Sequence, residues 1–295
     1  MIVLVAEPPV TSPRTLAEAY GLLDDGGPRW RPIAGGTDLM VQLAAGPGSA
    51  PAGAGSTPAR VLDLWGLDEL RGIAIDGDEL VLGALATYTE IRRSKLCHEV
   101  MPALAEAAAT IGATQIQNRG TIGGNVVNAS PAGDTLPVLL ATGARFDVGG
   151  PRGERTVSVD TFWPAYRRTA LASDELLLRV RIPIVPDREV RFRKIGTRRA
   201  QAISKVVMAL AWRDVDGRWT DVRLALGSVA PTPIRAARTE AALEGRAPDP
   251  DVAGPAAETL AGELSPIDDV RSTAEYRRTV AARVLHRLIR DAGGW

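Results

Sequence analysis

The apolar positions of this chain fall into short runs and stripes that switch between a period of two and a period of about 3.6, the mark of mixed strands and helices. Residues 2–5 form an apolar run that predicts a strand. Leu16, Ala19, Tyr20, Leu22 and Leu23 then recur at helical spacing behind Thr15, a suitable N-cap, and this helix ends before Gly26-Gly27. Residues 30–34 predict a second strand, which runs directly into Gly35-Gly36 and a helix-compatible stretch with Leu39, Met40 and Leu43. Strands follow at residues 60–64, 72–75 and 80–82, the last two joined by the turn Asp76-Gly77-Asp78. Helices are expected at residues 87–93, 101–111 and 134–142, the second with Leu104, Ala105, Ala108 and Ile111 on one face. Residues 145–148 and 155–159 read as a strand pair, and residues 175–182 as an apolar strand stopped by Pro183.

From about residue 187 the pattern changes. Val190, Phe192 and Ile195 alternate with Arg191, Arg193 and Lys194, which predicts a strand with a partly polar face; the arginines suit a solvated strand edge. Two more strands are expected at residues 203–213 and 219–226, around Asp216-Gly217, and helices at 235–243, 251–260 and 273–292. The last helix carries Val280, Val284, Leu285, Leu288 and Ile289 as one buried stripe. Residues 45–59 are Gly, Pro, Ala and Ser without periodicity, a flexible excursion and a natural boundary. The expected units are residues 1–57, 58–186 and 187–295, the last a three-stranded sheet covered by helices.

Composition narrows the chemistry. Thirty-five basic and thirty-five acidic residues balance, so no global field favours nucleic acid or an anionic membrane. Cys97 is the only cysteine, which excludes an internal disulfide, a four-thiolate zinc site or an iron–sulfur cluster; such a cluster would belong to a partner. His98 and His286 are the only histidines, and no acidic cluster has ligand spacing, which argues against serine–histidine hydrolysis and against a metal site. Neither a G-x-x-x-x-G-K-[ST] nor a G-x-G-x-x-G loop is present. No run approaches the ~20 apolar residues of a membrane span, and residues 2–5 are too short for a signal-peptide core. A cytoplasmic protein is the expectation.

Two glycine-rich stretches remain. AGGTD at 34–38 lies between a strand and a helix, and TIGGNVVNASPAGDTLP spans 121–137. Paired glycines let a turn bring its N–H groups close to an anion, and a helix start adds its own. They also serve as ordinary loop punctuation. Asp134, placed at a helix start, could simply favour the helix dipole.

These stretches resemble, in order and separation, the FAD-binding subunit of the molybdenum hydroxylases, the family of the carbon monoxide dehydrogenase medium subunit and the xanthine dehydrogenase flavin domain. The resemblance rests on AGGTD at 34–38 and QNRGTIGGNVVNASPAGDTLPVLLA at 117–141. It extends through YRRTAL at 166–171, DELLLRVRIP at 174–183, KIGTRRAQAISKV at 194–206 and ALGSVAPTPIRA at 225–236. It implies an α+β chain: a vanillyl-alcohol-oxidase-like (PCMH-type) FAD-binding domain of two α/β subdomains, then a C-terminal domain of three antiparallel strands and helices. By the same resemblance Ala34, Gly35, Gly36, Thr37 and Asp38 would form one wall of the pyrophosphate site, and Thr121, Gly123, Gly124 and Asn125 the other. Asp134 would bond the ribityl chain, Leu178 would lie by the flavin ring, and Lys194 would sit near its pyrimidine edge.

The implied partners are a large subunit with a molybdenum cofactor and a small one with [2Fe-2S] clusters, in a dimer of heterotrimers that reduces an external acceptor. Three departures stand out. Phe192 takes the place of a tyrosine found in carbon monoxide dehydrogenases, Thr37-Asp38 replaces their His-Ser, and the chain lacks cysteines for the inserted cluster loop of the 4-hydroxybenzoyl-CoA reductase branch. Neither loop carries a histidine for covalent attachment, so the expected FAD is non-covalent. The alternatives are a self-contained flavin oxidoreductase of the same fold and a scaffold subunit that has lost FAD.

Overall fold

The computed structural model describes residues 8–25, 27, 29–44, 60–198 and 201–295. The strand expected at residues 2–5 and the excursion at 45–59 lie outside the described residues. The first unit contains β1 (Val10–Thr11), α1 (Leu16–Leu23), β2 (Trp30–Ile33), α2 (Leu39–Ala44) and β3 (Arg60–Asp63). α1 starts where the pattern puts it, with the Thr15 hydroxyl accepting from Glu18 N–H. β3 lies beyond the expected boundary at residue 57, yet it is the central strand of the parallel sheet β1-β3-β2. That pairing spans the uninformative stretch 45–59 and leaves no local trace in the sequence.

The second unit runs through β4 (Ile73–Asp76), β5 (Glu79–Gly83), α3 (Tyr88–Arg93), α4 (Lys95–Val100), α5 (Pro102–Thr110), α6 (Thr114–Arg119), α7 (Ile122–Asn128) and α8 (Leu136–Thr142). It closes with β6 (Arg145–Gly150), β7 (Gly153–Ser158), α9 (Val159–Phe162) and β8 (Leu176–Pro183), giving an antiparallel sheet in the order β4-β5-β8-β6-β7. Ile122, Val126, Leu136 and Leu139 from the helices meet Leu82, Phe146 and Val180 from the sheet in one core. Each such side chain, fully buried, contributes roughly 1.5–3 kcal/mol.

The third unit holds β9 (Arg188–Ile195), β10 (Val206–Val215), β11 (Arg218–Gly227) and β12 (Ile234–Arg235), then α10 (Ala237–Leu243), α11 (Pro250–Glu263) and α12 (Ala274–Gly293). The three long strands are antiparallel as expected, with the two-residue β12 added at one edge. α11 and α12 cover one face through Leu260, Leu285 and Ile289.

The alternation within β9 differs from expectation at its end. Val190 and Phe192 are joined on the inner face by Lys194, whereas Ile195 packs on the other side with the helical core of the third unit. Strand geometry requires this, since residues two apart share a face. The alternation set Lys194 on the polar face with Arg191 and Arg193; a buried acid on a distant segment holds it inside.

Candidate functional site

The two Gly-Gly segments lie against each other, but they are built differently. After β2 the chain turns through Ala34 to Asp38, with Gly36 at φ 74°, in the left-handed region that suits glycine. α2 then begins, its Met40 N–H bonded to Gly36 O at 2.9 Å. Among the described residues, nothing accepts from the amides of Gly35, Gly36, Thr37 or Asp38. Gly35 touches the carbonyl before the second segment so closely that a Cβ there would lie 1.7 Å from Arg119 O.

The second segment is not a loop at its start: residues 122–128 form α7, capped by the Thr121 hydroxyl, which accepts from Gly124 N–H at 3.0 Å. Its first amides are all committed. Ile122 N–H bonds Ala86 O and Gly123 N–H bonds Ala84 O, both at 2.9 Å, and Asn125 N–H bonds Thr121 O. The expectation that this Gly-Gly pair offers free N–H groups is therefore corrected. Gly123 is a packing glycine, where a Cβ would fall 2.6 Å from Ala84 O, while a Cβ on Gly124 would meet only Thr121 Oγ1, at 2.9 Å. Two features hold α7 in place of the turn that Gly-Gly suggests. One is the cap; the other is Trp163, whose indole N–H donates to Val126 O at 2.9 Å.

Between the segments runs a cleft of about 230 Å³. Ala34, Gly35, Gly36, Thr37, Asp38, Thr121, Gly123, Gly124 and Asn125 all line it. Asn125 Oδ1 accepts from the Thr135 hydroxyl at 2.6 Å, which fixes the amide plane. Tyr88, Arg31 and Glu175 also line the cleft and were not singled out in the sequence. Glu175 is held by a two-pronged contact from Arg155 at 2.8 and 2.7 Å, which lowers its pKa. The only signal near Tyr88 was Thr87 with Glu90, a capping box that starts α3.

Asp134, Lys194 and Leu178 are not part of that lining. Asp134 precedes α8 and takes Lys194 Nζ on Oδ2 at 2.5 Å; Lys194 also donates to Thr110 O at 3.0 Å. Both side chains are nearly inaccessible, and burial pushes the Asp134 carboxyl up to about 6 against the pull of Lys194. Asp134 Oδ1 is buried with no partner. The loop carrying this acid is tied to the third unit: Ser228 N–H donates to Pro131 O at 2.7 Å and the Ser204 hydroxyl to Ala132 O at 3.3 Å. Leu178 is fully buried, and its carbonyl accepts from Ala84 N–H. Phe192 is buried in the main core. Asn128 and Ser130 have local roles, the first accepting from Arg167, the second from Ala132 N–H.

These features suit a ligand with an anionic middle and a hydroxylated arm. Consecutive unpaired amides match phosphate oxygens, and a buried carboxylate oxygen without a donor matches a ligand hydroxyl. Fold and cleft together define a binding protein for an elongated, phosphate-bearing ligand.

Residues 6–185 match the family model for the FAD binding domain in molybdopterin dehydrogenase, and residues 191–292 that for the CO dehydrogenase flavoprotein C-terminal domain. The chain belongs to this family of FAD-binding oxidoreductase subunits of molybdenum hydroxylases. It is 30% identical to the xanthine dehydrogenase FAD-binding subunit of Escherichia coli O157:H7, over 95% of both chains. It is 31% identical to the carbon monoxide dehydrogenase medium chain of Afipia carboxidovorans, over 95% of this chain and 94% of that one. Among solved structures, carbon monoxide dehydrogenase from Hydrogenophaga pseudoflava superposes with a TM-score of 0.88 at 29% identity, covering 95% of each chain.

Proposed function

We propose that this chain carries non-covalent FAD in the cleft between residues 34–38 and 121–125, as the electron-transfer subunit of a heteromeric molybdenum-dependent hydroxylase or dehydrogenase. It would stand between iron–sulfur clusters on a small partner subunit and an external acceptor, with the molybdenum cofactor and substrate on a large one. The relatives named above support that assembly, and we extend it to a dimer of heterotrimers in the cytoplasm. The observation that carries the reading is the run of unpaired amides at Gly35, Gly36, Thr37 and Asp38 facing Gly124 across one cleft.

Bound there, FAD supplies the redox chemistry. The residues of this chain do the rest by position and charge. The amides of residues 35–38 hold the pyrophosphate, and Gly124 leaves room for it. Asp134 Oδ1 accepts from a ribityl hydroxyl. Lys194, held by Asp134 at 2.5 Å, would lie near the pyrimidine edge, where it would favour added negative charge. Leu178 presents backbone beside the ring.

The test is to purify the full-length chain alone and with the proteins that accompany it in the cell. The expected result is a yellow protein that releases FAD on denaturation and turns over only with its partners. A colourless folded chain would support the scaffold reading, and turnover of NAD(P)H with a small substrate by the chain alone would support a self-contained reductase.

A further inference from the structure

We infer that Tyr88 is a cofactor-binding residue, its phenol donating a hydrogen bond to an oxygen of the polar linker of FAD, a ribityl hydroxyl or a phosphate. The inference rests on the FAD reading above and extends it to a side chain that no motif marked.

Tyr88 is the first residue of α3, and Gly120 meets both its backbone and its ring. Its N–H bonds Gly120 O at 3.1 Å, and a Cβ on Gly120 would fall 3.1 Å from the ring, so the segment leading into α7 packs on it without a side chain between. The residue is 3% exposed and lines the cleft, yet its hydroxyl oxygen is buried without a hydrogen-bond partner. The nearby Thr135 hydroxyl gives its proton to Asn125 Oδ1 at 2.6 Å, so it has none to donate to the phenol oxygen. A phenylalanine would fill the same space without an unmet hydroxyl, so packing alone does not account for the oxygen.

The charges around it define what the phenol can do. Burial first, then the carboxylates of Asp134 and Asp38, hold its pKa well above the usual tyrosine value, so it stays neutral and keeps its proton. A region with two acids that receives a diphosphate needs a donor free of negative charge, and a neutral phenol is one. It is the counterpart of Asp134 Oδ1: one buried donor and one buried acceptor, both unmatched, beside a cleft suited to a ligand whose hydroxyls can do both.

Tyr88→Phe in the full-length chain, stripped of flavin and titrated with FAD, tests this. We expect FAD to bind about tenfold more weakly and the flavin-free variant to melt no lower than the wild type. Riboflavin separates the two acceptors: a loss that persists with riboflavin identifies a ribityl hydroxyl, and a loss confined to FAD a phosphate oxygen. A folded variant, by circular dichroism, with wild-type FAD affinity would overturn the inference and leave the FAD reading intact. A wild-type chain that took up no FAD would remove both.

Discussion

The two Gly-Gly pairs that face each other across the cleft look alike in sequence and behave differently in the fold. At Gly35-Gly36 the amides are unpaired and the chain turns through a positive φ at Gly36, so glycine serves conformation and close approach. At Gly123-Gly124 the backbone is helical and its amides are paired, so glycine serves packing on one side and open space on the other. A glycine pair thus reports that backbone must come close to something, without saying whether that something is a ligand or the protein itself.

The comparison is broken most severely at Gly35. Any Cβ there meets Arg119 O far inside contact distance, and both partners are backbone, so neither can swing away. Gly35→Ala should separate the two segments, cost about 3–5 kcal/mol of stability and abolish FAD uptake. Urea denaturation and flavin titration read both quantities. A variant with wild-type stability would mean that the segments need not touch.

The second pair should divide its effects between its members. Gly123→Ala gains about 1 kcal/mol of helix propensity but forces a methyl against Ala84 O and Cβ, at 2.6 and 2.7 Å. Overpacking of this kind costs roughly 1–3 kcal/mol, so the net change is a lower melting temperature. Gly124→Val instead puts its bulk where no protein atom other than Thr121 Oγ1 stands. FAD affinity should fall by about tenfold or more, ~1.4 kcal/mol, with a smaller loss of stability. Unchanged FAD retention by Gly124→Val would refute its place in the pyrophosphate wall.

Much of this arrangement was legible because it is local. Thr15 caps α1, Asp76-Gly77-Asp78 turns a hairpin, and β10 and β11 pair around Asp216-Gly217. α7 was hidden because Ile-Gly-Gly-Asn has poor helix propensity; it forms through a cap and an indole 37 residues away. The inward turn of Lys194 was hidden for the same reason, since Asp134 lies 60 residues earlier. Nine of the residues named by motif resemblance line one cleft, but which amides are free depends on what the neighbouring segment 84–88 accepts. Tyr88 had no sequence signal: an orphaned hydroxyl exists only once its surroundings are fixed.

The finest difference between the segments is carried by two threonines. Thr121 Oγ1 accepts from Gly124 N–H and caps α7, whereas the Thr37 hydroxyl has no partner among the described residues, though it lines the same cleft. Valine keeps the shape of threonine and removes only the hydroxyl chemistry. Thr121→Val should therefore cost the flavin-free chain about 1 kcal/mol, a fall of ~2–4 °C in melting temperature. Thr37→Val should leave that stability within ~0.5 kcal/mol and weaken FAD binding by roughly 1 kcal/mol, about fivefold. Melting curves and flavin titrations of the two variants form a crossed pair: one hydroxyl serves the fold and the other the ligand. If Thr121→Val weakened FAD while leaving the melting temperature unchanged, or Thr37→Val did the reverse, the division of labour between the segments would be the wrong way round.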